Sequence, residues 1–97
     1  MDGIYEIKVN TPMGIMGGKL YLKQNGNSIT GTLEMMGKKS NLTEGRVQGN
    51  KCCFSGEFKN NAINIKYDIA AELEGKILNI YAKTNMGEFK LQGTKIG

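Results

Sequence analysis

Ile63-Asn64-Ile65-Lys66-Tyr67-Asp68-Ile69 alternates apolar and polar side chains without a break. A helix would scatter these residues around its surface. A strand sends successive side chains to opposite faces, so the stretch reads as a β-strand with one dry face and one wet face. The same period recurs in both directions along the chain. Upstream, Tyr5, Ile7 and Val9 oppose Glu6, Lys8 and Asn10, and Leu20 and Leu22 oppose Lys19, Tyr21 and Lys23. Ile29, Leu33 and Met35 oppose Ser28, Thr30, Thr32 and Glu34, and Cys52, Phe54 and Phe58 oppose Lys51, Cys53, Ser55 and Glu57. Downstream, Leu78, Ile80 and Ala82 oppose Asn79, Tyr81 and Lys83, while Phe89 and Leu91 oppose Glu88, Lys90 and Gln92. Only Ala70-Ala71-Glu72-Leu73-Glu74 has helix-favouring composition, and it is too short for an independent helix; it extends the strand before it.

Seven turn signals separate eight such segments: Thr11-Pro12-Met13-Gly14, Gln24-Asn25-Gly26-Asn27, Met36-Gly37-Lys38-Lys39, Gly49-Asn50, Lys59-Asn60-Asn61, Glu74-Gly75-Lys76 and Asn85-Met86-Gly87. Hairpin-length connections throughout imply strands that run up and down, since Greek-key links would be longer. The fourth segment departs from strict alternation because Leu42 and Val47 lie five residues apart. A bulge over Thr43-Glu44-Gly45-Arg46 restores the register, with Gly45 expected to supply the permissive backbone. Glycines 18, 31, 56 and 93 fall at inward positions, where a small residue lets a strand bend as a closed sheet requires. The expected fold is therefore all-β: an eight-stranded antiparallel up-and-down barrel over residues 1–97, one domain, with no substantial helix. Tyr5, Phe54, Phe58, Tyr67 and Phe89, with some fifteen aliphatic residues, suffice to fill so short a barrel, which places any ligand at its mouth.

Gly3-Ile4-Tyr5 at the head of the first strand resembles the Gly-x-Trp that opens calycin barrels such as lipocalins and streptavidin-like proteins, with Tyr5 in place of the usual Trp. Thr11-Pro12-x-Gly14, Gly26-x-x-Ile29-Thr30-Gly31-Thr32-Leu33, Gly45-x-Val47-x-Gly49-Asn50, Phe54 and Met86-Gly87-x-Phe89-x-Leu91-x-Gly93-Thr94-Lys95 are also similar to a small, mostly uncharacterised bacterial β-domain. Lys95 stands where such families often carry Arg. The resemblance covers almost the whole chain and implies a calycin-like fold; it brings no substrate with it.

Composition narrows the function classes. At 39% apolar and 23% charged residues the chain is an ordinary globular one, with neither a basic, apolar leader nor a run long enough to span a bilayer as a helix; a soluble, cytoplasmic protein is expected. The adjacent Cys52 and Cys53 point to opposite faces of a strand, so one buried and one surface thiol are expected, with no disulfide, metal site or redox motif. The net charge of +4 rests on dispersed lysines with a single arginine, which favours a solvated surface over a nucleic-acid track.

The chain contains no histidine, which removes the commonest general base and every Ser-His or Cys-His nucleophile system. Most carboxylates sit at outward positions, no phosphate-cradling loop leads into a helix, and neither an enzyme nor a cofactor is expected. Glu44 and Arg46 share a face beside the bulge, reading either as a rim ion pair or as an anion-binding Arg46 at a pocket edge. The compositional excess is methionine. If the strands run up and down, Met13, Met16, Met35, Met36 and Met86 all lie in or beside the turns of one end. Met is flexible and polarizable, so the group reads either as a plug for that end or as an adaptable contact surface. The leading expectation is a non-enzymatic binding module that contacts a small apolar molecule or a protein partner through these methionines, with Arg46 as an accessory. The alternatives are a basic barrel that stacks single-stranded nucleic acid on Tyr21 and Tyr81, or an oligomerising module with Tyr21, Tyr81 and Ile77 at its contact.

Overall fold

Alternating sequence becomes a closed sheet. The computed structural model of the chain describes residues 1–11, 14–35, 37–59 and 64–97. Among these residues lie nine antiparallel strands: β1 (Gly3–Thr11), β2 (Gly14–Asn25), β3 (Ser28–Met35), β4 (Lys38–Asn41), β5 (Thr43–Gln48), β6 (Lys51–Lys59), β7 (Asn64–Glu74), β8 (Ile77–Thr84) and β9 (Gly87–Lys95). The strand order is β2-β1-β9-β8-β7-β6-β5-β3-β4, and β2 pairs with β3 to complete the circuit. β4 and β5 both pair with β3 and together fill one position in the wall, so the barrel has eight positions and its fourth strand comes in two halves. Ala70–Glu74 completes β7 as strand.

The break between β4 and β5 corrects one expectation about backbone. The register does slip between Thr43 and Arg46. The residue that takes the left-handed conformation is Glu44, at φ 53°, and not Gly45. Gly45 serves a different need: a Cβ there would overlap the carbonyl oxygen of Ile29 on β3. The glycine lets two backbones approach, while the exposed Glu44 carries the turn.

Inward residues form one core around Tyr5, Leu20, Phe54 and Leu78, each buried nearly completely. Cys52 is buried and Cys53 exposed, as a strand demands of neighbours. Among the described residues the buried set has one polar member, Ser40 on β4. Beyond Thr43↔Ser55 no ladder joins this wall to β6, and Ser40 takes over that seam. Its hydroxyl donates to the Glu57 carbonyl oxygen at 2.9 Å and lies 2.8 Å from the Tyr67 hydroxyl. Ser has one O–H proton, so with that proton on Glu57 the Tyr67 hydroxyl donates to Ser40 Oγ. Tyr67 reaches this position by lying over Gly56, where any Cβ would overlap its ring and hydroxyl, and it packs against Phe58 at a ring-centroid distance of 5.6 Å.

This arrangement sets the cost of two substitutions. Gly56→Ala pushes Tyr67 off Ser40 and is expected to destabilise the fold by about 1–3 kcal/mol, the usual scale of overpacking. Tyr67→Phe removes only the hydrogen bond, for about 0.5–1.5 kcal/mol. Urea unfolding of the two variants should rank them in that order.

Candidate functional site

The up-and-down order puts the strand ends Thr11, Gly14, Met35, Lys38, Lys59, Asn64, Thr84 and Gly87 at one end of the barrel, and the chain start with the remaining strand ends at the opposite end. The two ends are finished differently. At the second end the chain start lies across the barrel. Met1 packs against the core, its amino group donates to Gln24 Oε1 at 2.7 Å, and the Tyr5 hydroxyl donates to the Met1 carbonyl at 3.0 Å. The Gln24 N–H donates to the Asp2 carboxylate as well.

At the methionine-bearing end the wall itself opens. β1 and β9 are each nine residues long, yet their ladder runs only from Tyr5↔Lys95 to Lys8↔Gln92. Past that point β1 stays with β2, through Val9↔Met16, and β9 stays with β8, through Leu91↔Ile80 and Phe89↔Ala82. The two strands therefore part toward this end and leave a slot between them.

The slot explains an exposure that alternation does not. Phe89 shares inward parity with buried Ala82 but is 45% exposed, so the expectation of a core Phe89 is corrected. Val9, Met16, Met35, Phe58 and Leu91 also have inward parity and are only half-buried. Outside the barrel, a groove of about 1020 Å³ runs from the slot across β9, β8 and β7 to β6. It is bordered by Val9, Phe89 and Leu91 at the slot, and by Tyr81, Ala70 and Lys51 farther along. Lys90 Nζ lies 5.3 Å from the centre of the Tyr81 ring on this surface. A second groove of about 790 Å³ follows the opposite seam, past Thr43, Gly56, Tyr67 and Asp68.

The structure brings together part of the predicted site. Met16 and Met35 are half-buried at the slotted end, and Met86 is 61% exposed in its last turn. Met13 and Met36 lie outside the described residues. Arg46 stands apart from the methionines, exposed on β5 two residues from the opposite end, and borders neither groove. No Glu44–Arg46 ion pair forms among the described residues; Glu44 takes the left-handed conformation two residues before Arg46. Sequence reasoning passed over Val9, Leu91 and the edge formed by Glu88 and Lys90. Their signal was only that a barrel must join its first and last strands, and alternation cannot say for how many residues it does so. Tyr21 and Tyr81 do not share a track: Tyr21 is half-buried on β2, and two strands separate it from Tyr81 on β8.

Among the described residues no three Cys, Asp or Glu side chains gather closely enough to hold a metal ion. Burial, and then the neighbouring Cys53, pushes the Cys52 thiol up from its ordinary 9.0 to about 11. Burial also raises the Tyr67 phenol, against the opposing hydrogen bond to Ser40. Comparison of the chain with protein-family models, with curated proteins and with solved structures finds no match.

These shifts have a sign. Cys52 and Tyr67 are held neutral in the fold and ionise more easily once unfolded. The Cys52 contribution to stability is complete below the unfolded thiol value of 9.0 and is lost as pH rises through about 11, and the Tyr67 contribution is lost at pH above its ordinary 10.0. Urea denaturation across that window should show stability falling with pH, with a shallower decline in Cys52→Ala. A flat profile would contradict the burial of both groups. A thiol reagent at neutral pH should label Cys53 and leave Cys52 untouched until the protein unfolds.

Proposed function

We propose that this chain is a non-enzymatic binding module of calycin-like type, acting in the cytoplasm, whose methionine-bearing end takes a small apolar molecule. The observation that carries the reading is the contrast between the two ends. At one, Met1 packs against the core and its amino group bonds to Gln24, while at the other the inward side chains Val9, Met16, Met35, Phe89 and Leu91 remain partly accessible beside a slot in the wall. A partly accessible apolar surface among the described residues of a barrel end, lined by flexible thioethers, suits ligands of varied shape. The absence of histidine from the sequence supports binding over catalysis, and two unbridged cysteines agree with a reducing compartment.

A second reading has one supporting feature. The outer groove carries an exposed Tyr81 beside Lys90, with Lys8 and Lys51 at its borders, a combination that can stack a base and hold phosphates. Salt-dependent anisotropy of a labelled oligonucleotide, abolished by Tyr81→Ala, distinguishes it.

The primary reading is tested by titrating the neutral apolar dye Nile red, alongside native mass spectrometry of protein purified from cells. Wild-type protein should bind the dye saturably, and Met16→Ser/Met86→Ser should weaken binding about tenfold. Ile77→Ser/Ile96→Ser, at the opposite end, should leave it unchanged. Equal binding by both double variants, with stability preserved, would contradict the proposal.

A further inference from the structure

The slot leaves β9 with a free edge, and the residues on that edge are complementary to themselves. The Ile96 N–H donates to the Ile4 carbonyl at 2.8 Å, which fixes which residues of β9 face β1. In an antiparallel ladder, N–H and C=O of one residue point to the same neighbour and those of the next residue point to the other. Counting from Ile96, the backbone groups of Thr94, Gln92, Lys90 and Glu88 therefore face β1. The Lys95 N–H, which donates to Lys76 of the β8 hairpin at 2.8 Å, confirms the opposite phase. Thr94 and Gln92 find partners in Glu6 and Lys8, and the ladder then ends. Among the described residues Lys90 and Glu88 have no strand partner on that side. A row of open N–H and C=O groups beside an exposed apolar side chain is a template for another strand.

We propose that the edge Gly87–Leu91 pairs antiparallel with the same edge of a second copy of this chain, about a twofold axis through Phe89. The charge pattern selects this occupant. About that axis Glu88 lies directly opposite the partner's Lys90, and Lys90 opposite the partner's Glu88, so each copy supplies both signs in the right order. The same two residues exchange backbone N–H···O=C bonds across the twofold. Phe89 meets its own counterpart in the close, non-hydrogen-bonded pair, where cross-strand side chains interact most strongly. This buries an aromatic ring that is 45% exposed in the single chain. The contact is isologous and closes on itself, so it gives a dimer and not a filament. The present partners of the two charges are weak and easily exchanged: Glu88 sits 3.9 Å from the exposed Lys83, and Lys90 lies over the exposed Tyr81. The proposal goes beyond ligand binding at the mouth and does not require it.

Sedimentation velocity over a wide concentration range, with circular dichroism to confirm folding, tests the pairing by charge reversal. Wild type should pass from a 10.6 kDa monomer to a dimer as concentration rises. Lys90→Glu and Glu88→Lys each place like charges opposite one another, and each should weaken the dimer about tenfold or more. Mixing the two variants in equal amounts restores opposite charges and should restore the dimer. The double variant Glu88→Lys/Lys90→Glu should dimerise alone. Lys90→Pro removes an N–H that the β8 ladder does not use, so it should stay folded and monomeric. A wild type that stays monomeric overturns the proposal, as does a dimer indifferent to both reversals or a mixture that fails to reassemble. Nile red binding by the monomeric variants reports on the mouth independently.

Discussion

A barrel exists only if its first strand finds its last, and here they share only the rungs from Tyr5↔Lys95 to Lys8↔Gln92, extended at one end by the bonds of Ile4 with Ile96 and Gly97. The methionine-bearing end takes its form from that short seam. While it lasts, Lys95 and the buried Gly93 are the inward residues of β9, paired with Tyr5 and Ile7. Where it stops, the inward residues become Leu91 and Phe89, facing Val9 across the slot. The half-buried apolar mouth, the exposed Phe89 and the free backbone edge at Glu88 and Lys90 are three consequences of one parting.

The other seam shows what a closed wall requires. Between β4 and β6 the ladder also fails, because the bulge at Glu44 shifts the register. There a single buried hydroxyl replaces it, with Ser40 joined to Glu57 on β6 and Tyr67 on β7. No buried side-chain polar atom among the described residues lacks a partner, so this substitution carries no desolvation debt. A hydrogen-bonded staple tolerates little change, whereas an unstapled slot can admit a ligand or a strand. The barrel thus combines one seam joined by a buried hydroxyl with one that parts, and the proposed ligand and strand contacts both fall at the second.

Much of the architecture was legible in the sequence because period-two alternation is a local property. The strands, the register slip in the fourth and the one buried thiol follow from it, whereas the division of the fourth strand into β4 and β5 does not. Local patterns do not report long-range distances, and the misreadings come from there. Gly45 was read as the source of an unusual φ, but Glu44 holds that conformation, and the glycine answers to the Ile29 backbone on another strand. Phe89 was read as core because its parity is inward; parity gives direction and not burial, and burial depends on where β1 leaves β9. Ser40 escaped notice although it shares inward parity with Leu42, a position where a polar residue marks a hydrogen-bonded network. Arg46 was grouped with the methionines as an accessory although strand order carries it toward the other end.

The slot can be observed directly by residue-resolved amide hydrogen exchange along β9, measured by NMR in the Lys90→Glu variant so that pairing between copies does not interfere. The account predicts alternation: slow exchange at Phe89 and Leu91, whose N–H groups face β8, and fast exchange at Glu88 and position 90, whose N–H groups face the slot. Uniform protection from Glu88 to Leu91 would mean that β1 and β9 remain paired to the end of the barrel, and would contradict it.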